Sequence, residues 1–112
     1  MQRDAQLLLD MLESAKLATR YIAECSKTDF LSELQLQDAV IRRLAIVGEA
    51  SRRISETTRQ TLPMVPWSEI SGMRNRLIHE YDDLDLEIVW DTVRISLPRL
   101  IEVLERIVSS NQ

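Results

Sequence analysis

Arg74, Asn75, Arg76, His79 and Tyr81 all fall within the stretch Ser71–Tyr81, which holds the only histidine of the chain. These residue types suit phosphate chemistry. An imidazole titrates near neutrality and can both take and return a proton, as attack by a ribose hydroxyl on its own phosphodiester requires. A guanidinium at Arg74 or Arg76 can hold the scissile phosphate and stabilise the charge that grows on its oxygens. Asn75 suits fixing the imidazole tautomer or binding a phosphate oxygen. Tyr81 suits donation to a leaving oxygen or stacking on a base. No carboxylate-rich metal cage is spaced around these residues, so they fit metal-independent attack of an RNA 2'-hydroxyl; DNA lacks that nucleophile. A structural reading competes. A histidine near a helix C-terminus is favoured by the helix dipole and by Asp82 and Asp83, and Tyr81 can be an amphipathic packing residue.

The element that carries these groups decides whether they can meet. On a helix, Asn75 and Arg76 share a patch with His79, whereas Arg74 sits about 140° and Tyr81 about 200° around the axis from it. A continuous helix does not gather all five. Convergence requires the helix to end near Glu80, or a cleft made with another helix or another subunit.

Helices are what the rest of the chain predicts. Its 112 residues make one domain, 1–112, with a modest core and more apolar surface than a monomer of this size readily buries, so self-association is expected. Hydrophobic residues make up 45%, but aromatics are 4% and there are only two glycines and three prolines, too few turn and strand formers for a sheet. Leu7, Leu8, Met11, Leu12, Ala15, Ala18 and Ile22 recur at helical steps and predict a helix over 3–25. Thr28-Asp29 reads as the cap of a short helical turn holding Phe30, Leu31 and Leu34. A second helix is expected over 35–57, with Gly48 among small residues that permit close approach by another helix, a dimer interface being the reason offered for it. Pro63 and Pro66 stop it, and Pro66-Trp67-Ser68-Glu69 opens a third over 67–80 with Ile70, Met73 and Leu77 inward. The linker around Asp85 caps a last helix over 86–109, which Pro98 should kink near Arg94 to Leu97. These elements predict an all-α, antiparallel four-helix bundle with one extra short helix.

Charge narrows the partners. The net charge is −4, yet residues 42–76 carry seven arginines against three glutamates, while residues 1–41 and 77–112 are acidic. The middle third can attract a phosphate backbone that the ends repel. Arginine outnumbers lysine twelve to two, favouring forked contacts to phosphate or carboxylate. Arg42-Arg43, Arg52-Arg53 and Arg59 are equally compatible with a solvated or internally paired helix face. The lone Cys25 forms no internal disulfide and reads as a small packing residue. No apolar stretch approaches the roughly 20 residues needed to cross a bilayer, so a cytoplasmic protein with no membrane contact is expected.

Arg74-Asn75-Arg76-Leu77-Ile78-His79-Glu80-Tyr81 has the pattern Arg, four residues, His, any residue, Tyr. Together with Pro66 to Met73, Ile46-Val47-Gly48-Glu49-Ala50 and Asp85 to Trp90, it resembles the HepT-like toxins, a branch of the HEPN superfamily. The resemblance covers nearly the whole chain. It implies an all-helical homodimer with the motif in a cleft between subunits, and a metal-independent ribonuclease without a cofactor that acts on tRNA or mRNA. Arg74 and His79 would be the catalytic pair, with Asn75 and Arg76 in support. Tyr81 would receive AMP from an MntA-like nucleotidyltransferase antitoxin, placing bulk and negative charge beside the arginines. Some relatives resemble non-catalytic dimers that bind nucleotide or RNA and dock a nucleotidyltransferase, and that alternative stays open here.

Overall fold

Apolar residues at three- and four-residue steps become the long helices of the computed structural model, which describes residues 2–110, with the side chains of Gln2 and Tyr81 outside that description. Helix α1 (Gln2–Tyr21) buries Leu7, Leu8, Met11, Leu12, Ala15 and Ala18, the stripe that its sequence spacing predicts. It packs along α3 (Leu34–Arg53), whose Val40, Leu44 and Val47 are almost fully enclosed. Helix α5 (Trp67–His79) lies against α3 and turns Ile70 and Leu77 inward. The other side of α1 is covered by α7 (Leu97–Ser110), through Leu97, Leu100, Leu104 and Ile107. The central pair α1 and α3 is thus flanked by α7 and α5. The fold is all-α, with no strand among the described residues. No described helix is long and apolar enough to cross a membrane.

Two short helices, not one, accompany the bundle. Helix α2 (Lys27–Ser32) starts at Ser26 rather than at Thr28-Asp29: the Ser26 hydroxyl accepts from the Asp29 N–H at 3.0 Å while the Asp29 carboxylate accepts from the Ser26 N–H at 3.3 Å. This reciprocal pair satisfies two otherwise unpartnered donors. The helix carries Phe30 into the core as a plug, tilted on Trp90 with ring centroids 5.6 Å apart. Gln37 is buried because its amide donates to the Phe30 carbonyl at 3.0 Å.

The second expected helix, 35–57, is divided. Helix α3 ends at Arg53, Ile54 turns to extended backbone and inserts its side chain into the core, and Ser55 caps a separate α4 (Glu56–Thr61). The cause lies far away in sequence. The Asp4 carboxylate accepts from the Ser55 N–H at 3.2 Å, the Ser55 hydroxyl at 2.7 Å and the Thr58 hydroxyl at 2.5 Å. One buried carboxylate in α1 therefore fixes the start of α4. Pro63 follows α4, and Pro66 is the N-cap residue of α5, so the two prolines delimit the loop as expected. Trp67 closes it by donating to the Leu62 carbonyl at 2.9 Å.

The first helix is likewise shorter than 3–25. It ends at Tyr21 in a turn that still buries Ile22. At the other end of the chain, Asp85 caps α6 (Leu86–Asp91), accepting from the Glu87 N–H at 2.9 Å and the Ile88 N–H at 3.4 Å. Between α6 and α7 the segment Thr92–Ser96 is a π-turn, where the Leu97 N–H reaches the Thr92 carbonyl. It precedes Pro98, which has no N–H to give, and it takes the place of the expected kink.

Hydrogen bonds from Thr58, and then from Ser55, hold the Asp4 carboxyl down at about 2. A depressed carboxylate contributes stability that is complete above its unfolded value of roughly 4 and is lost as pH falls toward the folded one. Thermal unfolding followed by circular dichroism should therefore show a steeper loss of Tm between about pH 4 and pH 2 for the wild type than for Asp4→Asn, whose Tm is already lowered at neutral pH.

Candidate active site on helix α5

Helix α5 must bury one face and display the other. With Ile70 and Leu77 inward and Met73 half-buried, steps of about 100° per residue place Arg74 on one flank and Arg76 on the other. Asn75 and His79 face outward. The exposures agree: Asn75, Arg76 and His79 are exposed, whereas the Arg74 side chain retains 23%. Arg76 borders a cavity of about 640 Å³ between α5 and α7, floored by Val47, Ile70, Met73 and Leu100. Arg74 borders a smaller one of about 300 Å³ against α3, with Arg42 and Glu49 on its rim and Ile46 and Ile78 on its walls.

The helix ends where convergence of the motif requires. His79 is its last residue, and Glu80 leaves helical backbone while its N–H bonds the Arg76 carbonyl at 2.9 Å. A 3₁₀ turn over Tyr81–Asp83 follows, so Tyr81 departs from the α5 path. Its side chain, and with it the expected AMP acceptor, lies outside the described residues. His79 makes no hydrogen bond among the described residues and is open to a ligand. Within one chain, Asn75 sits beside Arg74 and His79 stands one turn on, while Arg74 and Arg76 remain on opposite flanks.

Arg74 is the one member held in place. Its Nε donates to Glu49 Oε2 at 3.1 Å and its Nη1 to Asn75 Oδ1 at 3.5 Å. The same Glu49 accepts from Arg52 at 3.4 Å through its other oxygen. Gly48, one residue earlier, makes this possible: a Cβ there would lie 2.8 Å from the Arg74 Cβ and 3.2 Å from its Cγ. The expectation that Gly48 serves a dimer interface is corrected by this contact, which is with the chain's own arginine. A glycine inside a helix costs about 1 kcal/mol relative to alanine, and a partly exposed ion pair returns only about 0–1 kcal/mol. The arrangement therefore orients a guanidinium more than it stabilises the bundle. Sequence reading named Glu49 only within the Ile46–Ala50 stretch of the resemblance and gave it no place beside Arg74.

The arginine-rich middle of the chain divides into two sets. Arg52 and Arg59 pair with Glu49 and Glu56 on their own helices. Arg42, Arg43, Arg53 and Arg76 form no ion pair among the described residues, although Arg76 shares a small pocket with Glu80, Asp83 and Asp85. Among the described residues, no group of His, Cys, Asp and Glu is placed to hold a metal ion.

A family model described as Ribonuclease HepT-like matches residues 11–107. A Methanocaldococcus jannaschii protein, provisionally named as RNase MJ1380, is 37% identical over 105 residues, covering 93% of this chain and 96% of its own. A Thermococcus cleftensis protein named as a probable ribonuclease HepT is 39% identical over 93 residues, 83% of this chain and 84% of its own. The chain also spans about half, 49%, of a second M. jannaschii protein at 36% identity, whose name joins a gamma-glutamylcyclotransferase to a provisional RNase. No solved structure gives a significant match. An all-helical bundle carrying the Arg74 to Tyr81 motif at the end of α5, matched along most of its length, belongs to the HepT-like family.

Proposed function

We propose that the protein is a metal-independent endoribonuclease toxin in which His79 moves the proton and Arg74 holds the scissile phosphate. The observation that carries this reading is an exposed imidazole at the end of α5, without a hydrogen bond among the described residues, on the same helix as a guanidinium already held in position, in a chain of the HepT-like family. His79 takes the proton from the ribose 2'-hydroxyl, whose oxygen attacks the adjacent phosphorus. The bond to the 5'-oxygen of the next nucleotide breaks, that oxygen receives the proton back from His79 and leaves as a 5'-hydroxyl, and a 2',3'-cyclic phosphate remains. Arg74, supported by Asn75, and Arg76 on the other flank stabilise the charge on the phosphoryl oxygens.

The working unit in this reading is a homodimer. Gly72 lies on the outward face of α5 with Ser68, Asn75 and His79, and a Cβ added to it would meet no atom within 4 Å. Gly72 also borders the cavity between α5 and α7, and no described residue lies close enough to require a glycine there, so its lack of bulk suits the α5 of a second copy. Such a partner would bring a second set of motif residues to the open side of His79. Cleavage of tRNA or mRNA, and silencing through AMP placed on Tyr81 by an MntA-like nucleotidyltransferase, complete the proposal. An AMP phosphate there would occupy arginines that RNA needs.

Labelled tRNA and mRNA incubated in EDTA should be cut by the wild type to products ending in 2',3'-cyclic phosphate, and His79→Ala should lower the rate by at least about 100-fold. Retained wild-type cutting by His79→Ala excludes the catalytic role. If verified unmodified wild type cuts no RNA, a binding module that docks a nucleotidyltransferase is the better reading.

For the dimer, Gly72→Gln should shift sedimentation to the monomer without lowering Tm, whereas Gly72→Ala should raise monomer stability by about 1 kcal/mol. An unchanged dimer in Gly72→Gln removes α5 from the interface. Incubation with the nucleotidyltransferase and ATP should add one AMP mass to wild type and none to Tyr81→Phe; equal labelling of both moves the acceptor elsewhere.

A further inference from the structure

Resting on the ribonuclease reading above, we propose that Glu49 is a positioning residue: its carboxylate, set on α3 beside Gly48, locks the Arg74 guanidinium so that its terminal fork is presented to the scissile phosphate.

Three independent features of the molecule converge on this. The first is the close approach at Gly48, which lets the stem of Arg74 rest on the α3 backbone; the 2.8 Å contact a Cβ would make is with the arginine's own Cβ, an atom that cannot move without moving α5. The second is the choice of donor. Glu49 takes the Nε–H of Arg74, and Asn75 takes one hydrogen of Nη1. A guanidinium has five N–H donors, and among the described residues nothing takes Nη2 or the second Nη1 hydrogen. They form the end-on edge that binds a phosphate through two parallel bonds. The third is the tether on Glu49 itself: its other oxygen is held by Arg52 at 3.4 Å, so the carboxylate is fixed from both sides.

The arrangement resolves a conflict. A carboxylate facing the phosphate-binding edge of Arg74 would repel substrate and occupy the donors that substrate needs. Placed on Nε it does neither, and it removes rotamer freedom that a free arginine would lose on binding. Lysine at position 74 could not replace the arginine, because a single ammonium cannot be gripped at one edge and present another.

The experiment compares Glu49→Ala with Glu49→Gln, which remove the same charge but differ in whether an acceptor remains for Nε. Single-turnover RNA cleavage at subsaturating RNA should fall about tenfold in Glu49→Ala and should return to within about threefold of wild type in Glu49→Gln. In an Arg74→Ala background, adding Glu49→Ala should change the residual rate by less than about twofold, because the partner through which it acts is gone. Gly48→Ala should behave like Glu49→Ala. A Glu49→Ala protein as active as Glu49→Gln, or one that loses the same factor with and without Arg74, overturns the proposal.

Two further readouts separate its failure from that of the ribonuclease reading. Nitrogen-15 NMR should show the Arg74 Nε–H signal protected from exchange in wild type and Glu49→Gln and unprotected in Glu49→Ala. A fully 2'-O-methylated oligoribonucleotide, which cannot be cleaved, should bind Glu49→Ala more weakly than Glu49→Gln only when Arg74 is present. If no protein cuts RNA yet both readouts follow this pattern, the ribonuclease reading falls and the positioning role of Glu49 stands. Equal protection and equal binding in the two Glu49 variants sink the positioning role even where RNA is cut.

Discussion

Helices α3 and α5 approach one another at Gly48, and the arrangement of the site depends on that contact. The missing side chain brings the α5 backbone close enough for Arg74 to lie against α3, within reach of Glu49. A larger residue at 48 would have to push α5 outward or turn Arg74 away from the carboxylate that holds it. The contact also sets the rotation of α5. With Arg74 against α3, and Ile70 and Leu77 in the core, His79 has no position left except the outward face. One packing constraint thus separates a fixed guanidinium from an open imidazole on the same short helix.

The rest of the bundle serves as a frame for that helix. Helices α1 and α3 supply the central apolar seam, and α7 covers its far side, so α5 is supported along α3 and left free on its outer surface. The loop before α5 is pinned by the Trp67 indole on the Leu62 carbonyl, and the helix after it is started by the Asp85 cap. Both ends of α5 are therefore defined by local hydrogen bonds, while its rotation is defined by packing. The groove between α5 and α7, bordered by Arg76, leaves a second approach to the same helix open. In the ribonuclease proposed above, the substrate surface can change without disturbing the core, because the groups that would touch RNA project from a single element.

Much of the architecture was legible from periodicity. The stripes of α1, α3, α5 and α7 sit where three- and four-residue spacing puts them, because burial of an apolar face dominates helix placement. Errors cluster where a side chain distant in sequence intervened. Helix α3 stops at Arg53 although its pattern continues, since Asp4 gathers Ser55 and Thr58 and Ile54 gains more by entering the core. The start of α2 was displaced from Ser26 to Thr28 because two adjacent polar residues read as caps, and only the reciprocal bonds decide between candidates.

Residue types, spacing and helical register sufficed to establish that this chain is all-helical, that Arg74, Asn75, Arg76, His79 and Tyr81 share one short segment, and that a straight helix cannot gather them. Those properties are local: they depend on side-chain chemistry and on the fixed angle between neighbours along a helix. Tertiary structure alone decided which arginine of α5 is paired among the described residues, why Gly48 is a glycine, and that Glu49 holds Arg74. These follow from the distance between α3 and α5, which joins residues far apart in the chain and leaves no trace in either segment read by itself.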